Sequence, residues 1–174
     1  MFQMLKECFT KAQILAAEQL LTLISPSAAM ASQHVQALRE VELDEDDVEE
    51  FEDDPQQLMY IVKDVADWES VFFVDWKDTE SFVQSVQQLA EARDAEVTFG
   101  VEDAEDEDFL DDTTVPELMV TAHDELHKQG LVLWNWSTDS DCYSGFITTR
   151  DVAAQLVALG EVLEVEIREG SEPF

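Results

Sequence analysis

The sequence predicts an α/β or α+β fold: a mixed sheet of about five strands covered by helices, preceded by an N-terminal helical hairpin. Three observations lead there. Apolar residues near the N-terminus recur at helical spacing, and the second half alternates short strand-forming runs with helix-patterned ones. In addition, 45% of the 174 residues are hydrophobic, with ten Phe and four Trp, which supports a packed core despite a formal net charge of -32.

Leu5, Phe9, Ala12, Ala16, Leu20 and Leu23 mark one face of a first helix. Ser25-Pro26 ends it, and a second helix with Ser25 as its cap runs to about Arg39. The segment from Glu40 to Asp54 reads either as an exposed loop or as a short helix pinned by Val48 and Phe51, and Pro55 opens another helix through Leu58, Tyr60, Ile61 and Val65. Val71 to Trp76 is a strand, and Asp78 then caps a helix through Phe82, Val86 and Leu89. Glu96 to Val101 reads as the next strand. Pro116 starts a helix that Gly130 terminates in left-handed geometry. Leu131 to Trp136 and Gly145 to Thr149 are strands joined by a polar turn. A helix over Arg150 to Leu159, stopped by Gly160, leads into a final strand over Val162 to Ile167. Residues 1–54 thus comprise the hairpin and an acidic segment, and residues 55–174 the α/β part, within one compact unit.

The 41 acidic residues against 9 basic ones are concentrated in two runs. The first carries Asp44, Glu45, Asp46, Asp47, Glu49, Glu50, Glu52, Asp53 and Asp54; the second carries Glu102, Asp103, Glu105, Asp106, Glu107 and Asp108. A field of this sign repels nucleic acid and anionic membrane and attracts cationic surfaces at rates that fall with salt. The expected partners are therefore basic proteins, polyamines or divalent cations, with no direct nucleic-acid or membrane contact, and a basic protein such as a nucleic-acid-binding protein or a nuclease is the reading carried forward. Glu7 and Glu18 interrupt the apolar N-terminal stretch, which argues against a signal peptide or membrane span and for a cytoplasmic protein with reduced Cys8 and Cys142.

Catalytic signatures are weak. His123 and His127 stand at i and i+4 in HDELH, as in zinc proteases, but Asp124 occupies the position where that motif needs its general-base Glu. Ordinary packing at the edge of a buried helix face is the simpler reading. Asp139 and Asp141 lie in a turn after a strand, where weak cation binding is conceivable. Counted from Asp139, however, the sixth and twelfth residues are Ser144 and Arg150, not the Gly and Glu of a calcium loop. There is no nucleophile elbow and no Gly-rich phosphate loop, no cofactor is implied, and the four Trp read as core or rim packing.

LVLWNW followed by STDSDCYSGFI resembles an uncharacterised bacterial family of small α/β domains, whose late strand enters a turn of the form Asp-x-x-Ser-Asp-x-Tyr. The matching positions are Asn135, Thr138, Asp139, Ser140, Asp141 and Tyr143, with Asp75, Trp76 and Lys77 upstream, over roughly Trp68 to Ile167. Asn135 stands where that pattern has an acidic residue. The resemblance implies the fold and a bacterial source and brings no established activity; more loosely, the chain is similar to acidic immunity proteins that neutralise nucleases. The primary expectation is a non-enzymatic acidic binding protein, a DNA mimic or inhibitor. One alternative is a metal-dependent enzyme using Asp139 and Asp141. Another is a structural module that forms a homodimer through its hairpin and has a merely solubilising surface. Acidic runs converging on one face would favour mimicry, and runs on opposite sides would favour solubility.

Overall fold

A computed structural model describes residues 3–51 and 54–174 of the protein. Glu52 and Asp53, two of the expected partner-binding residues, lie outside the described residues.

The N-terminal segment forms β1 (Gln3–Met4), α1 (Leu5–Cys8), α2 (Lys11–Ile24), α3 (Ala28–Arg39), β2 (Glu42–Leu43) and α4 (Glu45–Phe51). The first helix is interrupted at Thr10, which sits in extended geometry and forms a capping box with Gln13, so α2 starts there. The cap of α3 is Ser27, whose hydroxyl accepts from Met30 N, and not Ser25. Ser25 Oγ donates to Leu21 O at 2.6 Å and lies 3.0 Å from His34 Nδ1. Since its proton is committed to Leu21, His34 Nδ1–H must be the donor of the second bond, which sets the tautomer of the neutral ring.

His34 is buried, and burial lowers its pKa below the ordinary value of 6.5, with Glu69 and Asp67 acting in the opposite direction. Stability tied to the neutral ring is fully present above the unfolded value near 6.5 and is lost as pH falls through the depressed native value. Urea midpoints should therefore drop more steeply between pH 7.5 and 5 (about these limits) for the native chain than for His34→Gln. Equal slopes would show that His34 does not contribute.

The remainder forms α5 (Gln56–Ser70), β3 (Phe72–Asp75), α6 (Thr79–Glu91), α7 (Glu107–Asp111), α8 (Val115–Lys128), β4 (Leu131–Trp136), β5 (Cys142–Thr149), a 3₁₀ turn (Arg150–Val152), α9 (Ala153–Leu163) and β6 (Ile167–Glu169). The helix-covered α/β architecture is present. Its main sheet has the order β3-β5-β4-β6 and is antiparallel throughout, with Phe72 opposite Gly145 and Asn135 opposite both Gly145 and Arg168. A separate two-stranded ladder pairs β1 with β2.

Every residue of β4 is buried, because helices cover both faces of the sheet. Val132, Trp134 and Trp136, with Phe146, face a core completed by α2, α5 and α9. Leu131, Leu133 and Ile147 join Phe72, Val74, α6 and α8 in a second core. Arg93, just beyond α6, donates to the carbonyls of Leu23 and Ile24 at the end of α2 and so ties the two helical layers together; burial lowers its pKa.

Two expected strands are placed differently. Glu96 to Val101 is not a strand, although its alternation is real in that Val97 and Phe99 are buried. Its backbone is satisfied by side chains. Gln129 bonds both the N–H and the carbonyl of Glu96, Glu125 accepts from Thr98 N, and Gln87 donates to Val97 O. The last strand is Ile167–Glu169, because α9 continues through Gly160 to Leu163 and ends at Glu164 in left-handed geometry (φ 54°). Gly160 permits close approach instead of terminating the helix: a Cβ there would lie 3.0 Å from Val165 O and 3.4 Å from the Ile167 side chain.

Candidate functional site

The turn between β4 and β5 closes one end of the sheet, and its backbone is held from three sides. Gln56 and Tyr60 of α5 donate to the carbonyls of Ser137 and Thr138, each at 2.6 Å. Trp76 N, just past β3, donates to Asp141 O, and Ser137 N donates to Glu166 O. Inside the turn Thr138 Oγ1 donates to Cys142 O at 2.7 Å. Ser140 Oγ therefore donates to Thr138 Oγ1 and accepts from Cys142 N. Asp139 takes φ 51°, a conformation that Asp tolerates better than most residues.

This clamped turn forms the floor of a cleft of about 530 Å³, whose walls include Trp76, Asp139, Asp141, Tyr143 and Phe174. Tyr143 Oη donates to Phe174 O, and Phe174 N donates to Asn135 Oδ1. The Asn135 amide nitrogen donates to Arg168 O and Glu169 O, and the Arg168 guanidinium lies 4.0 Å from the Phe174 ring centroid. Asn135, Tyr143 and Arg168 thus fix the segment that supplies the cleft's aromatic edge. The carboxylates of Asp139 and Asp141 are exposed, and among the described residues they accept no hydrogen bond and pair with no cation.

Of the expected turn residues, Ser140 and Tyr143 shape the site, and Asp139 and Asp141 are left open to solvent. Trp76 was legible only as part of a sequence resemblance, and Phe174, Gln56 and Tyr60 were missed. Phe174 carries no signal, because it reaches the cleft through the return of β6. Tyr60 reads simply as one more apolar position on a helix, although it also packs edge-on against Trp136 at 5.5 Å.

The two acidic runs fall in opposite layers. Val48 and Phe51 pack on the core that contains Trp134 and Phe146, whereas Ala104 and Leu110 belong to the core that contains Leu133 and Ile147. Part of each run serves local structure. Asp44 and Asp47 cap one another's backbone N–H groups at the start of α4, and Asp106 caps α7 through Phe109 N. Glu45 and Asp46 in the first turn of α4, like Glu107 and Asp108 in that of α7, also lie at the positive end of a helix dipole. One end of each run nevertheless approaches the end of the sheet that bears the turn. The first leads through Asp54 to Gln56, which bonds Ser137, and Leu110 O in the second accepts from Thr79, just beyond Trp76.

His123 is buried and His127 stacks on it at 5.6 Å between ring centroids. Its ring nitrogens face Asp124 at 3.5 Å and Glu169 at 3.2 Å. Among the described residues no three His, Cys, Asp or Glu side chains are grouped to hold a metal ion. None of the described helices is long and apolar enough to cross a membrane.

The fold and the cleft define a three-layer α/β/α domain with an acidic, aromatic-walled opening at one end of an antiparallel sheet. The chain belongs to the family described as a domain of unknown function (DUF6630), whose model matches residues 16–170. That span takes in α3, both acidic runs, Trp76 and the clamped turn. The chain matches no curated protein and no solved structure.

Proposed function

We propose that this protein is a non-enzymatic acidic binding protein of the bacterial cytoplasm that engages a basic protein surface, such as that of a nucleic-acid-binding protein or nuclease. The observation that carries this reading is the scarcity of internal neutralisation. Against a net charge of -32, the described residues form three Lys or Arg pairs with carboxylates: Arg39 with Glu18, Lys63 with Asp64, and Arg168 with Glu166. Most of the acidic surface is thus available to an external cation, and a partner of opposite sign gains both encounter rate and specificity from it. Because the runs lie in opposite layers, they do not form one flat track resembling a phosphate backbone, so this observation favours the solubilising alternative over DNA mimicry and leaves a basic-surface inhibitor as the form of the reading carried forward. A partner that caps the end of the sheet meets carboxylates from both layers. The hairpin-dimer alternative gains no such support: Ala16, Ala17, Leu20, Leu21, Ile24 and Leu38 are buried, and among the large apolar residues described on the hairpin only Leu15 is exposed.

The test is capture of partners from the source lysate across a salt series, with a charge-reversed variant alongside. Asp46→Lys, Glu49→Lys and Glu50→Lys change exposed positions and spare the capping pair Asp44 and Asp47. Recovery of a basic, nucleic-acid-binding protein that declines with salt and is lost with the triple variant is expected. A partner retained equally at all salt concentrations and by the variant, or a stoichiometric metal with no protein, would overturn the reading.

A further inference from the structure

We infer that the cleft beside the β4–β5 turn receives a lysine or arginine side chain of the partner protein; this rests on the basic-partner reading above and assigns it an anchoring site. The argument starts from size. A space of about 530 Å³ is far larger than a bare ion needs, and the described residues hold no three-ligand group for a metal. It is of the size that takes a chain-like organic group. Its chemistry then selects the group. Asp139 and Asp141 contribute unpaired, exposed carboxylates, and Trp76, a residue 51% exposed, contributes its ring to the same lining. A negative ring face next to free carboxylates attracts a cation carried on an apolar stem and repels an anion.

The protein already shows that this ring accepts a cation. Lys77 Nζ lies 4.6 Å from the Trp76 centroid, while Lys77 itself does not line the cleft. Preorganisation adds to the case. The turn backbone is held by Gln56, Tyr60 and Trp76 N, so little ordering is left to occur on binding. A protein-borne side chain is favoured over a free amine because one end of each acidic run approaches the same end of the sheet, and the rest of both runs extends the complementary charge well beyond one cleft.

The test uses the full chain and blocked Gly/Ser peptides carrying one central lysine or one central arginine, with an acetyl-lysine peptide and spermidine as comparators. Binding is followed by backbone-amide NMR shifts and tryptophan fluorescence. At least one of the two cationic peptides should shift the amides of Trp76 and residues 139–143, and acetyl-lysine should not. Trp76→Ala and the isosteric pair Asp139→Asn with Asp141→Asn should each weaken binding about tenfold. Removing the same charge elsewhere, with Asp46→Asn and Glu49→Gln, should change it by less than about twofold. The inference is overturned if the remote pair weakens binding as much as the cleft pair, if spermidine alone occupies the cleft, or if no probe shifts these amides. Lysate capture separates the two levels. A basic partner that is lost with the α4 charge reversal but retained by Trp76→Ala with Asp139→Asn and Asp141→Asn would overturn the cleft assignment and leave the acidic-binding reading standing.

Discussion

Gly145→Ala is expected to lower stability by about 3 kcal/mol or more and the melting midpoint by about 10 °C. Gly145 sits in β5 between Phe72 of β3 and Asn135 of β4. A methyl carbon there would overlap the carbonyl oxygen of Trp134 and stand 2.8 Å from two Phe72 ring carbons. The carbonyl belongs to the neighbouring central strand and cannot rotate away, and Phe72 is fully buried against Phe82 at 5.2 Å between centroids. Relief therefore requires the strands to separate where both cores meet the sheet. Thermal unfolding followed by circular dichroism measures the effect. A shift within about 1 °C would mean that the sheet yields locally at little cost, contrary to the close packing of interiors.

Asn135→Asp should cost about 2–4 kcal/mol at neutral pH, despite being nearly isosteric. Asn135 is 1% exposed and uses both ends of its amide, donating to the carbonyls of Arg168 and Glu169 and accepting from Phe174 N. A carboxylate keeps only the accepting role and faces two carbonyl oxygens with a buried negative charge. Its pKa would rise in the folded state, so the variant's stability is greatest below the unfolded Asp value and falls as pH rises through the elevated native value. Denaturant midpoints of variant and native chain should diverge with increasing pH, and the aromatic edge formed by Phe174 should loosen with them. Parallel curves at all pH values would show that the amide network contributes nothing.

The same residue shows what local reading could and could not reach. Asn135 looked like a departure from an acidic position in a turn motif. Its role became clear only when β6 was seen to pair with β4 and return residues 168–174 to its amide. Gly160 failed in the same way. A helix stop was the local reading, yet the constraint comes from Val165 and Ile167 turning back over the helix. Glu96 to Val101 reads locally as a strand and is not one, although Val97 and Phe99 are buried, because the groups that satisfy its backbone sit on Gln87, Glu125 and Gln129, out of reach of any window around the segment.

Features that depend on short-range physics were legible in the sequence. The caps at Asp78 and Gly130 act within one helical turn, the strand LVLWNW is apolar at every position but Asn135, and the short helix pinned by Val48 and Phe51 was one of two readings of the first acidic run. The sequence by itself also determined the sign of the net charge, which is a sum and needs no coordinates. The tertiary structure alone decided where that charge lies. It separated the two runs into opposite layers and set Asp139 and Asp141 beside Trp76 around a cleft. Such juxtapositions arise from strand pairing and layer packing between residues distant in the chain, and no local pattern encodes them.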